Sequence, residues 1–141
     1  MGRLFDAASG LLGLCLMQAY EGQAAMELEA LVSDPCVMQG AFAINQGVLD
    51  FRPLLSALAD GIDPREGANL FHGTLIAGLT AWVAMTGETE VVLGGGCLAN
   101  RVLAEGLRTA LSQSGMTAYL PRKLPPGDGG LSYGQAIMGR T

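Results

Sequence analysis

The segment Val91–Arg101 constrains the fold of this chain most, because a strand-like run passes through three glycines directly into a helix. Val91–Leu93 is β-branched and apolar, as in a buried strand, and a helical pattern occupies Leu98–Ser114. The intervening Gly94–Gly96 lets a ligand approach the backbone, and the helix N-terminus offers amides to an anion. The plain alternative is a tight strand-to-helix turn.

Helical and strand patterns alternate in the second half of the chain, which predicts an α/β fold with a layered sheet. The expected helices are Leu4–Leu14, Gly22–Val32, Leu54–Ala59, a long helix capped by Asp63 and running through Met85, Leu98–Ser114 and Leu131–Met138. The expected strands are Val37–Ile44, Val48–Phe51, Glu90–Leu93 and Met116–Leu120, of which the first two form a hairpin.

Length and composition exclude several classes of protein. A chain of 141 residues with 50% hydrophobic residues is one folded domain, not a disordered segment. One histidine and three cysteines without paired spacing exclude a zinc finger. A net charge of −5 with a single lysine disfavours nucleic acid as a partner. The uncharged stretch Gly67–Gly87 contains polar residues and four glycines, which favours a buried core helix over a membrane span.

The remaining polar and thiol residues have structural and functional interpretations. Cys15, Cys36 and Cys97 are expected to be free buried thiols in a reducing compartment, and the chain is expected to be cytoplasmic. His72 is expected to be a hydrogen-bonded interior group, and Trp82 and the methionines at helical spacing are expected in the core. Cys97 follows the glycines, where a thiol pKa can fall, but no histidine base lies close in sequence.

Two further segments could carry chemistry. Asp128 lies between glycines just before a helix, so it is either a helix cap or a carboxylate aimed into a cleft as a metal ligand or ribose contact. Glu27 lies in the second turn of its helix, where it could be merely a solvated acid. Gly94, Gly96 and Ala99 also fit a dinucleotide-binding fingerprint, which leaves an NADP-binding oxidoreductase fragment as an alternative.

Four strings, taken together and in order, resemble the HypF carbamoyltransferase family of nickel–iron hydrogenase maturation. They are Gly2–Ala8, Tyr20–Glu29, Gly94–Gly96 followed by Asn100 and Arg101, and Pro125–Leu131 followed by Gly134 and Gln135. The resemblance covers almost the whole chain. A more distant likeness is to the tRNA threonylcarbamoyladenosine-forming enzymes of the TsaD type, which share this domain type.

The resemblance implies a fold and an activity. The fold would be an RNase H-like lobe of the ASKHA (actin and sugar-kinase) ATPase fold, with a mixed sheet and flanking helices. The family forms a carbamoyl-adenylate from carbamoyl phosphate and ATP. It then passes the carbamoyl group to the C-terminal cysteine of a HypE-type maturation protein. The nucleotide-binding residues implied are Asp6, Gly22, Glu27, Gly94, Gly95, Gly96 and Asn100. Asp128 is implied as a ligand of a divalent metal such as zinc, iron or magnesium.

The chain also departs from the family pattern. Family members are several times longer, and the first phosphate-binding loop and the histidine pair that would share the metal with Asp128 are not in this sequence. Residues 1–141 are therefore expected to be the C-terminal lobe of a longer protein, completed by an N-terminal lobe and a poor catalyst alone. A non-catalytic assembly fragment, such as a homodimer, is the main alternative.

Overall fold

The computed structural model describes residues 1–139. Its helices are α1 (Gly2–Leu11), α2 (Gln23–Ala30), α3 (Arg52–Ala59), α4 (Pro64–Ala84), α5 (Arg101–Gln113) and α6 (Leu131–Met138). Its strands are β1 (Ala43–Asn45), β2 (Val48–Asp50), β3 (Glu90–Val92) and β4 (Thr117–Tyr119), and short 3₁₀ turns occupy Gly96–Ala99 and Asp128–Gly130. The order of helices and strands expected from the sequence is confirmed.

Local signals set most element ends. Helix α1 stops at Leu11, before the expected Leu14, because Gly13 adopts a left-handed φ of +70° and the Leu14 amide turns back to the Ser9 carbonyl. Helix α4 begins after Asp63, whose carboxylate accepts hydrogen bonds from the amides of Arg65 and Glu66.

The first predicted strand is much shorter in the structure, where it begins at Ala43 and not at Val37. The preceding segment binds the side of α4 instead. The amides of Ser33 and Asp34 each donate to Asn69 Oδ1 at 2.9 Å, and the Met38 amide donates to Thr74 Oγ1 at 2.9 Å. Because these backbone groups are satisfied by helix side chains, the segment needs no strand partner.

The α/β class is confirmed, and the strands pair in two separate small sheets within residues 1–139, whereas the resemblance implies a mixed sheet. Strands β1 and β2 pair antiparallel through a two-residue turn, with positive φ at Gln46 and Gly47. Strands β3 and β4 pair parallel, with Val91 opposite Ala118, and α5 makes the crossover between them.

The core forms where α3 and α5 pack against α4, while α1 packs against α2 and α3 and its Phe5 ring meets Phe71 of α4. Its largest fully buried apolar side chains are Phe5, Phe71, Leu28, Leu54, Leu58, Leu75, Leu103 and Leu111. The expectation of a buried Trp82 is wrong, since this side chain is 42% exposed, and most methionines are exposed too, Met17 at 89%. No helix within residues 1–139 has both the length and the apolar character needed to cross a bilayer.

The three cysteines are free thiols, as expected, but they differ in burial. Cys15 is buried, Cys97 is half-buried and Cys36 is exposed, so the expectation that all three are buried is wrong for Cys36. Cys36 lies on the segment that runs over α4, where its backbone and not its side chain makes the contact.

Candidate functional site

A groove of about 700 Å³ opens between α1, the start of α2 and the turn that precedes α5. Four of the residues implied by the resemblance line it, namely Asp6, Gly22, Gly96 and Asn100. They come from segments far apart in sequence, so only the folded chain brings them together.

The loop between α1 and α2 contains Gly22 and contacts Asp6. Gly22 precedes α2 with a φ of +83°, a conformation that strains any residue with a side chain. Asp6, on α1, accepts a hydrogen bond from Gln18 Nε2 at 3.1 Å. The same loop forms a smaller adjoining hollow of about 390 Å³, lined by Asp6 and residues 18–22.

The N-terminus of α5 is capped by side chains from two elements. Asn100 Oδ1 accepts from the Leu103 amide at 2.8 Å, and Glu29 Oε1 accepts from the Arg101 amide at 2.8 Å and the Val102 amide at 3.4 Å. The first amides of α5 are therefore already satisfied by protein groups. Anion binding at the start of the expected helix, in the turn Gly96–Ala99, stays a prediction.

The sequence pattern singles out Glu27 and gives no comparable role to Glu29. Glu29 lines the groove and ties α2 to α5, whereas Glu27 is absent from the described groove lining. The Glu27 carboxylate accepts from Gln23 Nε2 at 2.7 Å within α2. Residues two apart on a helix lie on different faces, and this spacing is the signal that could have separated them. The role assigned to Glu27 stays a prediction.

Buried Cys15 lies near this acidic region. Burial raises the pKa of its thiol above the usual value, and the carboxylates of Glu27 and Asp6 raise it further. The structure therefore favours an inert thiol at Cys15.

The three glycines border two neighbouring cavities. Gly96 lines the groove and also an apolar cleft of about 340 Å³ between α4, β3 and α5, which Gly94 and Gly95 line as well. The Gly95 amide donates to the Pro126 carbonyl at 2.7 Å, and a Cβ on Gly127 would lie 3.0 Å from Gly96 Cα. The glycines thus let the two glycine-rich loops pack backbone against backbone, and ligand binding at Gly94 and Gly95 stays a prediction.

Asp128 is exposed at the start of the second 3₁₀ turn and lines neither the groove nor the cleft. Helix α6 has Gly130 at its N-cap and no side-chain cap, so the helix-cap interpretation of Asp128 is wrong. Among residues 1–139, no group of three or more histidine, cysteine, aspartate or glutamate side chains could hold a metal ion. Asp128 therefore does not form a metal site with the described residues alone.

His72 is fully buried on α4 and is hydrogen-bonded at both ring nitrogens, as the sequence predicts for an interior group. Its Nδ1 lies 2.9 Å from the Ala68 carbonyl oxygen, and its Nε2 lies 3.1 Å from Asn100 Nδ2. Burial lowers the pKa of His72, although the Ala68 hydrogen bond and the charge of Glu29 oppose this shift.

Comparison with known proteins places the chain in a family. Residues 1–135 match the family described as the second subdomain of a carbamoyltransferase Kae1-like domain. The chain is 51% identical over 146 residues to the carbamoyltransferase HypF of Rhizobium leguminosarum bv. viciae, covering 99% of this chain and 19% of that protein. The chain thus spans about a fifth of the length of this relative.

Two solved structures are similar to this chain in fold. A crystal structure of full-length HypF in a phosphate- and nucleotide-bound form matches with a TM-score of 0.82 and 32% identity, over 99% of this chain and 20% of that one. The structure of HypF from T. kodakarensis matches in fold, with a TM-score of 0.74 at 23% identity, over 99% of this chain and 19% of that one. The chain therefore belongs to the HypF carbamoyltransferase family, in which it matches the second subdomain of the Kae1-like domain.

Proposed function

We propose that this chain is the nucleotide-binding half of a carbamoyltransferase that acts in hydrogenase maturation as part of a longer polypeptide. The observation that carries the proposal is the groove that gathers Asp6, Gly22, Gly96 and Asn100. A groove of about 700 Å³ lies within the range of small-molecule sites, which is roughly 300–1,000 Å³. The crystal structure of full-length HypF in a phosphate- and nucleotide-bound form supports the choice of ligand.

The charges of the groove suggest how a nucleotide would lie. Asp6 and Glu21 line the α1–α2 side, the Glu29 carboxylate is already bonded to the first amides of α5, and no lysine or arginine occurs among the described lining residues. Carboxylates accept hydrogen bonds from ribose hydroxyls but repel phosphates. The phosphates would therefore lie away from Asp6 and Glu21, along the backbone of Gly96 and Cys97. A Cβ on Gly96 would meet nothing within 4 Å, so the side of this residue that faces away from Gly127 has room for a ligand.

The proposed reaction follows that of the family. Hydrolysis of carbamoyl phosphate releases phosphate and leaves carbamate, whose oxygen attacks the α-phosphate of ATP and displaces pyrophosphate, which gives the carbamoyl-adenylate. The C-terminal cysteine thiol of a HypE-type partner then takes the carbamoyl group, and AMP leaves. The residues of this chain bind and orient the nucleotide. The groups that activate carbamoyl phosphate and the partner thiol would come from the N-terminal lobe. The free thiols fit a reducing compartment such as the cytoplasm.

For a metal ion, we propose only that this chain supplies one ligand. A divalent ion such as zinc, iron or magnesium would neutralise phosphate charge when bound, but Asp128 supplies a single carboxylate for it. The other ligands would come from outside this chain. In the full-length protein, we expect Asp128→Ala to lower bound metal measured by mass spectrometry. Unchanged metal content would remove Asp128 from the ligand set.

Nucleotide binding can be measured by titration calorimetry with AMP, ATP and NADP, on this chain and on the longest polypeptide that contains it. We expect the adenine nucleotides to bind the longer polypeptide. Asp6→Asn should weaken binding by about fivefold, since a hydrogen bond to a charged acceptor is worth about 1 kcal/mol more than one to a neutral acceptor. Asp60→Asn, at an exposed position away from the groove, is the matched control. Equal affinity of both variants would refute the groove assignment, and binding of NADP alone would favour the oxidoreductase alternative.

A non-catalytic assembly fragment is the second candidate, and the apolar cleft favours it. Val92 on its rim is 81% exposed and Trp82 is 42% exposed, so this face offers apolar area for another lobe or a second copy. If the isolated chain dimerises there, Val92→Lys should abolish the dimer in sedimentation experiments. Val48→Lys, on the other small sheet and 66% exposed, should leave it intact. A monomer that binds ATP would contradict this candidate.

A further inference from the structure

The side-chain amide of Asn100 is held between two helices and borders the groove. Its Oδ1 accepts from the Leu103 amide at 2.8 Å, at the start of α5. Its Nδ2 lies 3.1 Å from His72 Nε2, on α4. Only 6% of Asn100 is exposed, so few other partners can compete for either atom.

The chemistry of the neighbours determines which atom of the amide is which. The Ala68 carbonyl can only accept, so His72 Nδ1 carries the proton in the 2.9 Å contact. A neutral ring with a proton on Nδ1 has a lone pair on Nε2, and that lone pair accepts from Asn100 Nδ2. The Leu103 amide can only donate, so it requires the oxygen of Asn100. Rotating the amide by a half turn would put donor against donor and acceptor against acceptor.

The surroundings of His72 keep its ring neutral. The rings of Phe5 and Phe71 pack edge-on against it, with centroids 5.7 and 5.4 Å away. Glu29 is the one charged group described as acting on His72, and its effect is smaller than that of burial. A neutral His72 ring keeps the lone pair on Nε2 that accepts the hydrogen bond from Asn100 Nδ2.

We propose that His72 is a positioning residue that orients the Asn100 amide, so that the α5 wall of the groove offers the remaining Nδ2–H to an acceptor atom of a bound nucleotide. The ligand-binding part of this inference rests on the proposed nucleotide site. The orientation of the amide stands on the hydrogen bonds alone, and it can be tested without any ligand.

The first test is the ring ¹⁵N spectrum of His72 in this chain. His72 is its only histidine, so the signals need no assignment. We expect a neutral ring with the proton on Nδ1. In Asn100→Asp, the carboxylate can still cap Leu103 but cannot donate to Nε2, so the proton should move to Nε2 or the ring should become charged. A wild-type proton on Nε2, or unchanged ring signals in Asn100→Asp, would overturn the proposal.

The second test separates positioning from simple packing, using AMP as the ligand and the longest polypeptide that contains the chain. His72→Leu removes the acceptor and should weaken AMP binding by about tenfold, the effect of losing one oriented hydrogen bond. His72→Gln offers an oxygen near the position of Nε2 and should recover most of the affinity. Equal weakening in both variants would indicate packing and overturn the proposal. Absence of AMP binding in the wild type would refute the proposed function, while the ring spectrum would still decide the amide orientation.

Discussion

Replacement of Gly73 by alanine should destabilise the fold, although alanine is the better helix former. Gly73 lies in the middle of α4, where the segment containing Cys36 crosses the helix. A Cβ at this position would lie 2.5 Å from the Cys36 carbonyl carbon and 2.6 Å from its nitrogen, and still closer to its oxygen. Backbone atoms cannot rotate away as a flexible side chain can, so the crossing segment must move.

The loss of unfolding free energy can be estimated from the hydrogen bonds that this movement would break. The Cys36 amide donates to the Asn69 carbonyl at 3.2 Å, and the Met38 amide donates to Thr74 Oγ1 at 2.9 Å, on either side of Gly73. Loss of both bonds costs about 2 kcal/mol. Overpacking adds about 1–3 kcal/mol, and the helix propensity of alanine returns about 1 kcal/mol. The net loss of unfolding free energy should be about 2–4 kcal/mol.

Urea unfolding followed by far-ultraviolet circular dichroism measures this loss. Gly10→Ala is the matched control, because Gly10 also lies in a helix and a Cβ there would meet nothing within 4 Å. The control should gain about 0.5 kcal/mol. If Gly73→Ala proves as stable as Gly10→Ala, the crossing of α4 by the Cys36 segment is not as the structure has it.

Three further predictions concern buried polar groups and a helix cap. Ser9 Oγ is buried without a hydrogen-bond partner among the described residues, so Ser9→Ala should leave stability in urea unchanged or raise it by about 1 kcal/mol; a clear loss would reveal a hidden partner. Glu29→Ala removes the acceptor for Arg101 and Val102 and should cost about 1 kcal/mol, whereas Glu29→Gln should cost less; equal losses would contradict the cap. Burial lowers the pKa of His72 in the folded state, so its contribution to stability is full above about pH 6.5 and falls as the pH drops below that value. His72→Gln should flatten this part of the stability profile, and an unchanged slope would contradict the buried neutral ring.

Local signals in the sequence predicted the elements that depend on neighbouring residues. Asp63 before Pro64 marks the start of α4, and the turn at Gln46–Gly47 joins β1 to β2. Helix α6 occupies Leu131–Met138, as its pattern predicts. These features rest on side chains and dihedral angles within a few residues, so a single sequence is enough to specify them.

Contacts between residues that lie far apart in the chain could not be predicted from the sequence. The strand expected from Val37 does not begin there, because the α4 side chains of Asn69 and Thr74 accept hydrogen bonds from the backbone amides of Ser33 and Met38. Nothing local to Val37 reveals those partners. Trp82 was expected in the core by its helical spacing, yet it lies at the rim of an apolar cleft.

For the site, the residue types and their order can be read from the chain alone: a carboxylate on α1, a glycine before α2, a glycine turn and an asparagine before α5. Folding selects which of them share the groove, places Glu29 at its border where Glu27 is absent, and brings His72 to Asn100 across 28 positions. This is because a carboxylate or amide acquires its partners from whichever elements pack against it. That packing depends on the whole core and not on the local sequence.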